Sequence, residues 1–271
     1  MPNRSAEPDF SRLTDFLASE GADGYLLDAA SDSSDQRYLS GFDAPDPFVS
    51  LFTPSTNPEH EGTDTDGGNG GAGGAGGAVH LLVGALEYGR ARTESHAATV
   101  SRLADFDYRA KRERYDPEEA RHRVVAEFLA AHDVSSVAVP PRFPVGTADG
   151  LRDRSISVAP EYDGVVTEVR ATKTPEEIES IRVAQRANER AMRAAETMLA
   201  EATITDDAEG TLRYDGGPLT AERVKREIES TLLDAGHALD ETIVACGSDA
   251  ADPHNRGSGP LRADESIIVD I

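Results

Sequence analysis

Two helix-start signatures divide this chain and narrow the folds open to it. Asp116-Pro117-Glu118-Glu119 and Thr174-Pro175-Glu176-Glu177 each set a capping side chain before a proline, with an acid at the third helical position. After the first, Val124, Val125, Phe128 and Leu129 form an apolar face at helical spacing. After the second, Ile178, Ile181, Ala184, Ala187, Ala191, Met198 and Leu199 predict a long helix. Its alanine-rich stripe implies close packing against a neighbour.

Shorter segments complete the pattern. Phe10, Leu13, Phe16 and Leu17 predict a helix closed by Gly21, followed by a buried strand at Tyr25-Leu26-Leu27. Arg37-Tyr38-Leu39-Ser40-Gly41-Phe42 ends in a glycine turn. Val49 to Phe52 and Val79 to Val83 read as two strands of a hairpin, and Val134 to Val139 as a strand stopped by Pro140-Pro141. Helix and strand thus alternate over the first 160 residues, which fits an α/β domain with a mixed or parallel sheet. Further on, Asp206 to Gly217 is polar and turn-like. Thr220 caps a helix with Val224, Ile228 and Leu232 on one face and Gly236 at its end. Thr242 to Gly247 and Ile267 to Val269 are strands. The expected organisation is an N-terminal domain over 1–160 and a second domain over 161–271, the latter short of strands and with the look of a domain cut short.

Within the hairpin lies a glycine-rich stretch at about 62–77. It has no following Lys-Ser/Thr and no helix start, so it reads as a surface insertion and not as a phosphate loop. With no dinucleotide fingerprint either, kinase and dehydrogenase chemistry have no support.

Charge excludes other partners. Fifty acidic residues against 27 basic ones give a net charge of −23, and only Lys111, Lys173 and Lys225 are lysines. The acids are spread along the chain and form no tail. Such a surface stays hydrated in molar salt, where the Debye length falls to ~3 Å; it reads as salt-adapted, from a halophile. It argues against nucleic acid and against anionic membranes as partners. No apolar run reaches ~18 residues and no secretory leader is visible, so a cytoplasmic location is the default. The single cysteine, Cys246, can form neither an internal disulfide nor a cysteine zinc site.

The richest cluster of chemistry-bearing residues is Asp249-Ala250-Ala251-Asp252-Pro253-His254-Asn255-Arg256, with Asp270 sixteen residues after His254. In so acidic a chain the first group is equally a solvated loop. Asp270 ends the apolar run Ile267-Ile268-Val269, where a buried charge is costly unless paired or metal-bound, and carboxylates at strand ends suit hard divalent ions. The alternative is a strand-end turn residue. His80, His96, His122, His132 and His237 belong to no constellation and default to surface or interface roles, as does His60 in the loop region.

Several stretches, taken in order, resemble the creatinase/prolidase/aminopeptidase P family of "pita-bread" metallohydrolases. Arg37 to Phe42 resembles the family's RYLTGF turn. Arg170-Ala171-Thr172-Lys173-Thr174-Pro175-Glu176-Glu177-Ile178 resembles the entry to its first catalytic-domain helix. Leu219-Thr220-Ala221-Glu222 with Gly236, Ile243 to Gly247, Pro253-His254 and Leu261 to Asp270 resemble later motifs of the same half. The resemblance covers almost all of the chain. Asp264-Glu265 stands where Gly-Asp is usual, and Cys246 where Ser or Ala is common.

The resemblance implies a fold class: an α/β N-terminal creatinase-like domain with a mixed sheet, followed by an incomplete α+β pita-bread catalytic domain. It implies a cofactor of two divalent metal ions, Mn2+ or Co2+, held by two Asp, one His and two Glu around an activated water. By motif Asp270 matches the first metal ligand, and His254 the histidine beside the substrate. The other four ligands come later in the family's sequence. The implied activity is an Xaa-Pro aminopeptidase or prolidase acting on a proline-containing peptide as a homodimer, with this chain inactive alone and completed by a separately encoded C-terminal half. Two alternatives stand beside it: a non-catalytic peptide- or protein-binding module, and a creatinase-like C–N hydrolase.

Overall fold

A computed structural model describes residues 8–55, 76–206 and 209–271. His60 and all but the last two residues of the expected glycine-rich insertion lie outside the described residues. The chain divides into two compact units, Met1–Thr174 and Pro175–Ile271.

The first unit runs α1 (Ser11–Glu20), β1 (Gly24–Ala29), α2 (Ser34–Ser40), β2 (Phe48–Pro54), β3 (Gly77–Val83), α3 (Tyr88–Glu94), β4 (Thr99–Arg102), α4 (Tyr108–Arg112), α5 (Pro117–Ala130), β5 (Ser136–Val139), α6 (Val145–Arg152), β6 (Ser157–Pro160) and α7 (Val165–Ala171). Among the described residues, its six strands form one sheet in the order β4-β3-β2-β1-β5-β6. The β1–β2 and β2–β3 pairs are antiparallel; β3–β4, β1–β5 and β5–β6 are parallel. The sheet is therefore mixed, and the hairpin expected from Val49 to Val83 is its antiparallel centre.

Period-two alternation sends successive side chains to opposite faces. Tyr25 and Leu27 join the core under α1, α2, α3 and α7, while Leu26 joins the core under α5 and α6. Two helices contribute the stripes legible in the sequence: Leu13 and Leu17 from α1, and Val124, Val125, Phe128 and Leu129 from α5. Each such buried side chain is worth about 1.5–3 kcal/mol. The cap of α5 forms as its signature implies, with Asp116 Oδ1 accepting from the Glu119 N–H at 3.0 Å and Pro117 in the first turn. At the free edge of β6, Arg152 Nη2 donates to the Val158 carbonyl at 2.9 Å, which occupies an edge acceptor.

The division between units falls after residue 174, later than the boundary at 160 that the sequence suggests. The reason is α7. Val165, Val166 and Val169 bury into the core of the first unit, and Arg170 Nη1 lies 2.6 Å from Asp35 Oδ1 on α2. The turn at Arg37 to Phe42 explains its own glycine. Gly41 has φ +63, and a Cβ there would lie 2.3 Å from His96 Nδ1. His96 Nε2 in turn bonds the Leu39 carbonyl at 2.7 Å.

The second unit comprises α8 (Pro175–Ala200), β7 (Thr203–Ile204), β8 (Leu212–Tyr214), β9 (Gly217–Pro218), α9 (Ala221–Asp234), β10 (Ile243–Cys246) and β11 (Ile267–Asp270). Ala187, Ala191, Ala195 and Met198 of α8 pack on Val224, Ile228 and Leu232 of α9. The small alanines allow the close approach that their spacing implies. The stretch read as polar and turn-like forms part of a three-stranded antiparallel sheet, β7-β8-β9, with Leu212 buried in it. Its strands are two or three residues long, too short for an alternation signal. Among the described residues, no helix is long and apolar enough to cross a membrane.

Candidate functional site

β10 and β11 carry both residues singled out by motif. They pair antiparallel, with Ile243 opposite Asp270, Val244 opposite Val269 and Cys246 opposite Ile267. Residues facing each other across the ladder share a face. Val244, Cys246, Ile267 and Val269 belong to the core with α8 and α9. Ile268 and Asp270 point to the other face, where Ile268 is 45% exposed and Asp270 is exposed.

Beyond β10 the chain turns at Gly247, makes a short 3-10 turn at Asp249–Ala251 and passes through His254. It then returns to the opposite edge of β10 from β11: the Val244 N–H donates to the Arg256 carbonyl at 3.2 Å. Gly257 sits so close to that strand that a Cβ would lie 1.8 Å from the Val244 oxygen, so only glycine fits.

Three further bonds hold this returning segment. Lys225 Nζ donates to the Gly257 carbonyl at 2.9 Å, and the Gly259 N–H donates to Glu222 Oε1 at 3.0 Å. The Gly257 N–H donates to Asn255 Oδ1 at 2.8 Å. These contacts with Gly259 and with its own first turn hold the Glu222 carboxyl below its ordinary value. Thr220, beside it, caps α9 by accepting from the Arg223 N–H at 3.3 Å. The Thr220-Ala221-Glu222 motif is therefore an anchoring device: its first residue starts the helix and its last holds the loop that follows His254.

The side chain of His254 is exposed, while its backbone N–H donates to Asp252 Oδ1 at 3.1 Å. The expectation that Asp270 is a buried strand-end charge is corrected. The apolar run before it alternates faces, so the carboxylate falls on the exposed one. β10 stands between β11, which carries Asp270, and the segment that follows His254.

These residues do not fit a two-ion centre by themselves. Each octahedral ion takes about six oxygen or nitrogen donors. Among the described residues, no group of three or more His, Cys, Asp and Glu is placed to hold a metal ion. The surroundings of Cys246 disfavour its thiolate. Burial pushes its thiol above the ordinary value, and the Glu265 carboxylate, 3.3 Å from Sγ, opposes ionisation.

Two other features were not legible as constellations. In the first unit a cavity of about 250 Å³ is lined by Phe16, Glu20, Ser136, Ser157, Glu161 and Tyr162 among others. Glu161 is 7% exposed and accepts from the Tyr25 hydroxyl at 3.0 Å and the Gly164 N–H at 2.8 Å. Burial and this carboxylate push the Tyr25 hydroxyl far up, so it stays protonated and donates to Glu161. Secondly, His80 and His122, expected in surface or interface roles, are each only 9% exposed, and His80 stacks on His132. A histidine within an otherwise apolar strand, Val79-His80-Leu81-Leu82-Val83, was the available signal.

No protein-family model matches the sequence, and no curated protein matches it significantly. The fold does have solved counterparts. It is similar to a prolidase from Pyrococcus furiosus (TM-score 0.63, 17% identity), over 96% of this chain and 64% of that one. It is similar to an Xaa-Pro dipeptidase from Bacillus anthracis (TM-score 0.62, 14% identity), over 96% and 58%. It is also similar to an X-Pro aminopeptidase from Thermotoga maritima (TM-score 0.61, 19% identity), over 96% and 59%. The chain spans 58–64% of the length of these structures. It shares its fold, along nearly all of its own length, with prolidases and Xaa-Pro peptidases.

Proposed function

We propose that this chain is the N-terminal domain and first catalytic half of a proline-directed, metal-dependent peptidase. The bond before proline in a short peptide would be its target. The observation that carries the reading is the fold correspondence over 96% of the chain with structures named for Xaa-Pro cleavage. In this reading Asp270 is the first metal ligand and His254 stands beside the substrate. The remaining ligands for two Mn2+ or Co2+ ions are supplied by polypeptide outside residues 1–271, whether a separately encoded half or a longer chain. The working assembly is a homodimer in the cytoplasm. The dispersed acids adapt its surface to molar salt.

The test is an assay of residues 1–271 in high salt with Mn2+ and an Xaa-Pro dipeptide or a longer Xaa-Pro peptide. The expected outcome is no metal-dependent release of the first residue and no tight manganese binding. Chelator-sensitive turnover by residues 1–271 would refute the assignment of the missing ligands.

A second reading is a non-catalytic peptide- or protein-binding module. It is favoured by the exposure of both His254 and Asp270 and by the lack, among the described residues, of a ligand cluster. Binding of proline-containing peptides without metal, unaffected by Asp270→Asn, would support it over the first.

A further inference from the structure

His80 lies in the middle of β3, on the sheet face covered by α5. Its Nε2 is 3.1 Å from Thr53 Oγ1 of β2, and its Nδ1 is 2.8 Å from Thr99 Oγ1 of β4. The ring is thus strung across three strands. Over it lies the ring of His132, with centroids 3.9 Å apart and planes inclined at 30°. The rings of Phe128 and His132 meet edge to face, with centroids 5.0 Å apart. His132 sits just past the end of α5, in a turn where the His132 N–H donates to the Leu129 carbonyl and the Asp133 N–H to that of Ala130. Asp133, next in the turn, holds a left-handed backbone, φ +57.

The surroundings leave the two imidazoles to each other. β2 and β4 present threonine hydroxyls, which can accept from a protonated ring as readily as donate to a neutral one. From α5 comes the apolar Phe128, while the nearest acid on that helix, Glu127, is occupied by Lys111 Nζ at 2.7 Å. The charge acting on His132 is that of Asp133, and the charge acting on His80 is that of His132. Burial disfavours protonation of both rings, more strongly at His80, which is brought down to about 4. Two stacked imidazoliums would add direct repulsion.

We propose that the stacked His80–His132 pair is an acid-operated latch between β3 and the turn at the end of α5. Closed, it accommodates one proton, on His132 beside Asp133. The second proton, on His80, drives the rings apart and frees residues 131–134 from the sheet. The hydrogen bonds of His80 to Thr53 and Thr99 survive the change, because both ring nitrogens then donate. The opening is therefore local to the turn and leaves the β2-β3-β4 ladder intact.

The experiment is an NMR titration of the histidine ring signals of the full chain from pH 8 to pH 3, with amide hydrogen exchange followed in parallel. Two separated steps are expected for His80 and His132, with exchange at 130–134 rising in the lower step. His132→Gln removes the stacked charge, so the His80 midpoint should rise by about one pH unit. The acid-induced exchange should disappear in the same variant. Independent titration of the two rings, or an unmoved His80 midpoint in His132→Gln, overturns the proposal. If that variant does not fold, the wild-type data decide: exchange at 130–134 that does not follow the lower step refutes the latch.

Discussion

Asp270 stands directly opposite Ile243 in the β10–β11 ladder, on the face turned away from the α8–α9 core, and its carboxylate is exposed. One position along, Val244 and Val269 face each other on the core side, with Val244 fully buried. Asp270→Ala should therefore change the stability of residues 1–271 by no more than about 0.5 kcal/mol. Val244→Ala should cost roughly 1–3 kcal/mol through lost burial and a residual cavity. Urea unfolding of both variants checks the contrast. A large loss in Asp270→Ala would show that the carboxylate has a structural partner.

Asp264 adopts φ +59, at the position where the resembled motif carries glycine. Left-handed backbone strains residues with a Cβ, although aspartate bears it better than most. Asp264→Gly should relieve that strain, partly offset by the freer unfolded chain, for a net gain of about 0.5–1 kcal/mol. Asp264→Val should lose about 1 kcal/mol or more. Thermal unfolding of the pair, expected to move in opposite directions, is the measurement.

Glu222 gains hydrogen bonds from Gly259, from its own N–H and from Thr220 on folding, and its carboxyl is held below the unfolded value. Its stabilising contribution is thus complete above the ordinary glutamate range near 4.3 and disappears as pH falls through the lower folded value. Glu222→Gln removes this titration. The stability difference between wild type and variant should be constant from pH 7 to 5.5 and shrink steadily below about pH 4.5. A difference unchanged down to pH 3 would rule out Glu222 as the anchor of the 257–261 segment.

Arg121 holds Asp28 bidentately, with Nη2 to Oδ1 at 2.6 Å and Nη1 to Oδ2 at 2.8 Å, and Thr147 adds a third donor at 2.9 Å. Asp28 is 8% exposed, so α5, α6 and β1 meet on one buried charge. Arg121→Ala should cost about 3 kcal/mol, because the carboxylate stays buried with only Thr147 to satisfy it. The double variant Asp28→Leu, Arg121→Met should recover most of that loss. Recovery failing in chemical denaturation would mean that the pair also sets the geometry of the α5–α6 contact.

What could be read directly from the chain was whatever depends on neighbours in sequence. Asp116 and Thr220 start their helices because a cap bonds an N–H three residues on, within the same local stretch. The helical stripes of α5 and α9 and the central hairpin were legible for the same reason. The small β7-β8-β9 sheet was not, since its strands are shorter than one cycle of the pattern that would announce them. The motif positions of His254 and Asp270 were visible, and so was the solvated-loop reading that fits the exposed His254; the exposure of Asp270 was not.

The sequence alone determined the capped helices α5, α8 and α9, the longer strands and the acidic composition, because capping, periodicity and charge are properties of short stretches. Tertiary structure decided which face of each strand is covered. Alternation puts Ile267 and Val269 on one side of β11 and Ile268 and Asp270 on the other, yet only the packing of α8 and α9 makes the first pair the core. It also decided which distant residues meet: Glu222 with Gly259, Asp28 with Arg121, and His80 with His132 across 52 positions of chain. Such pairings form only after the chain has closed loops between them, so no local pattern can encode them.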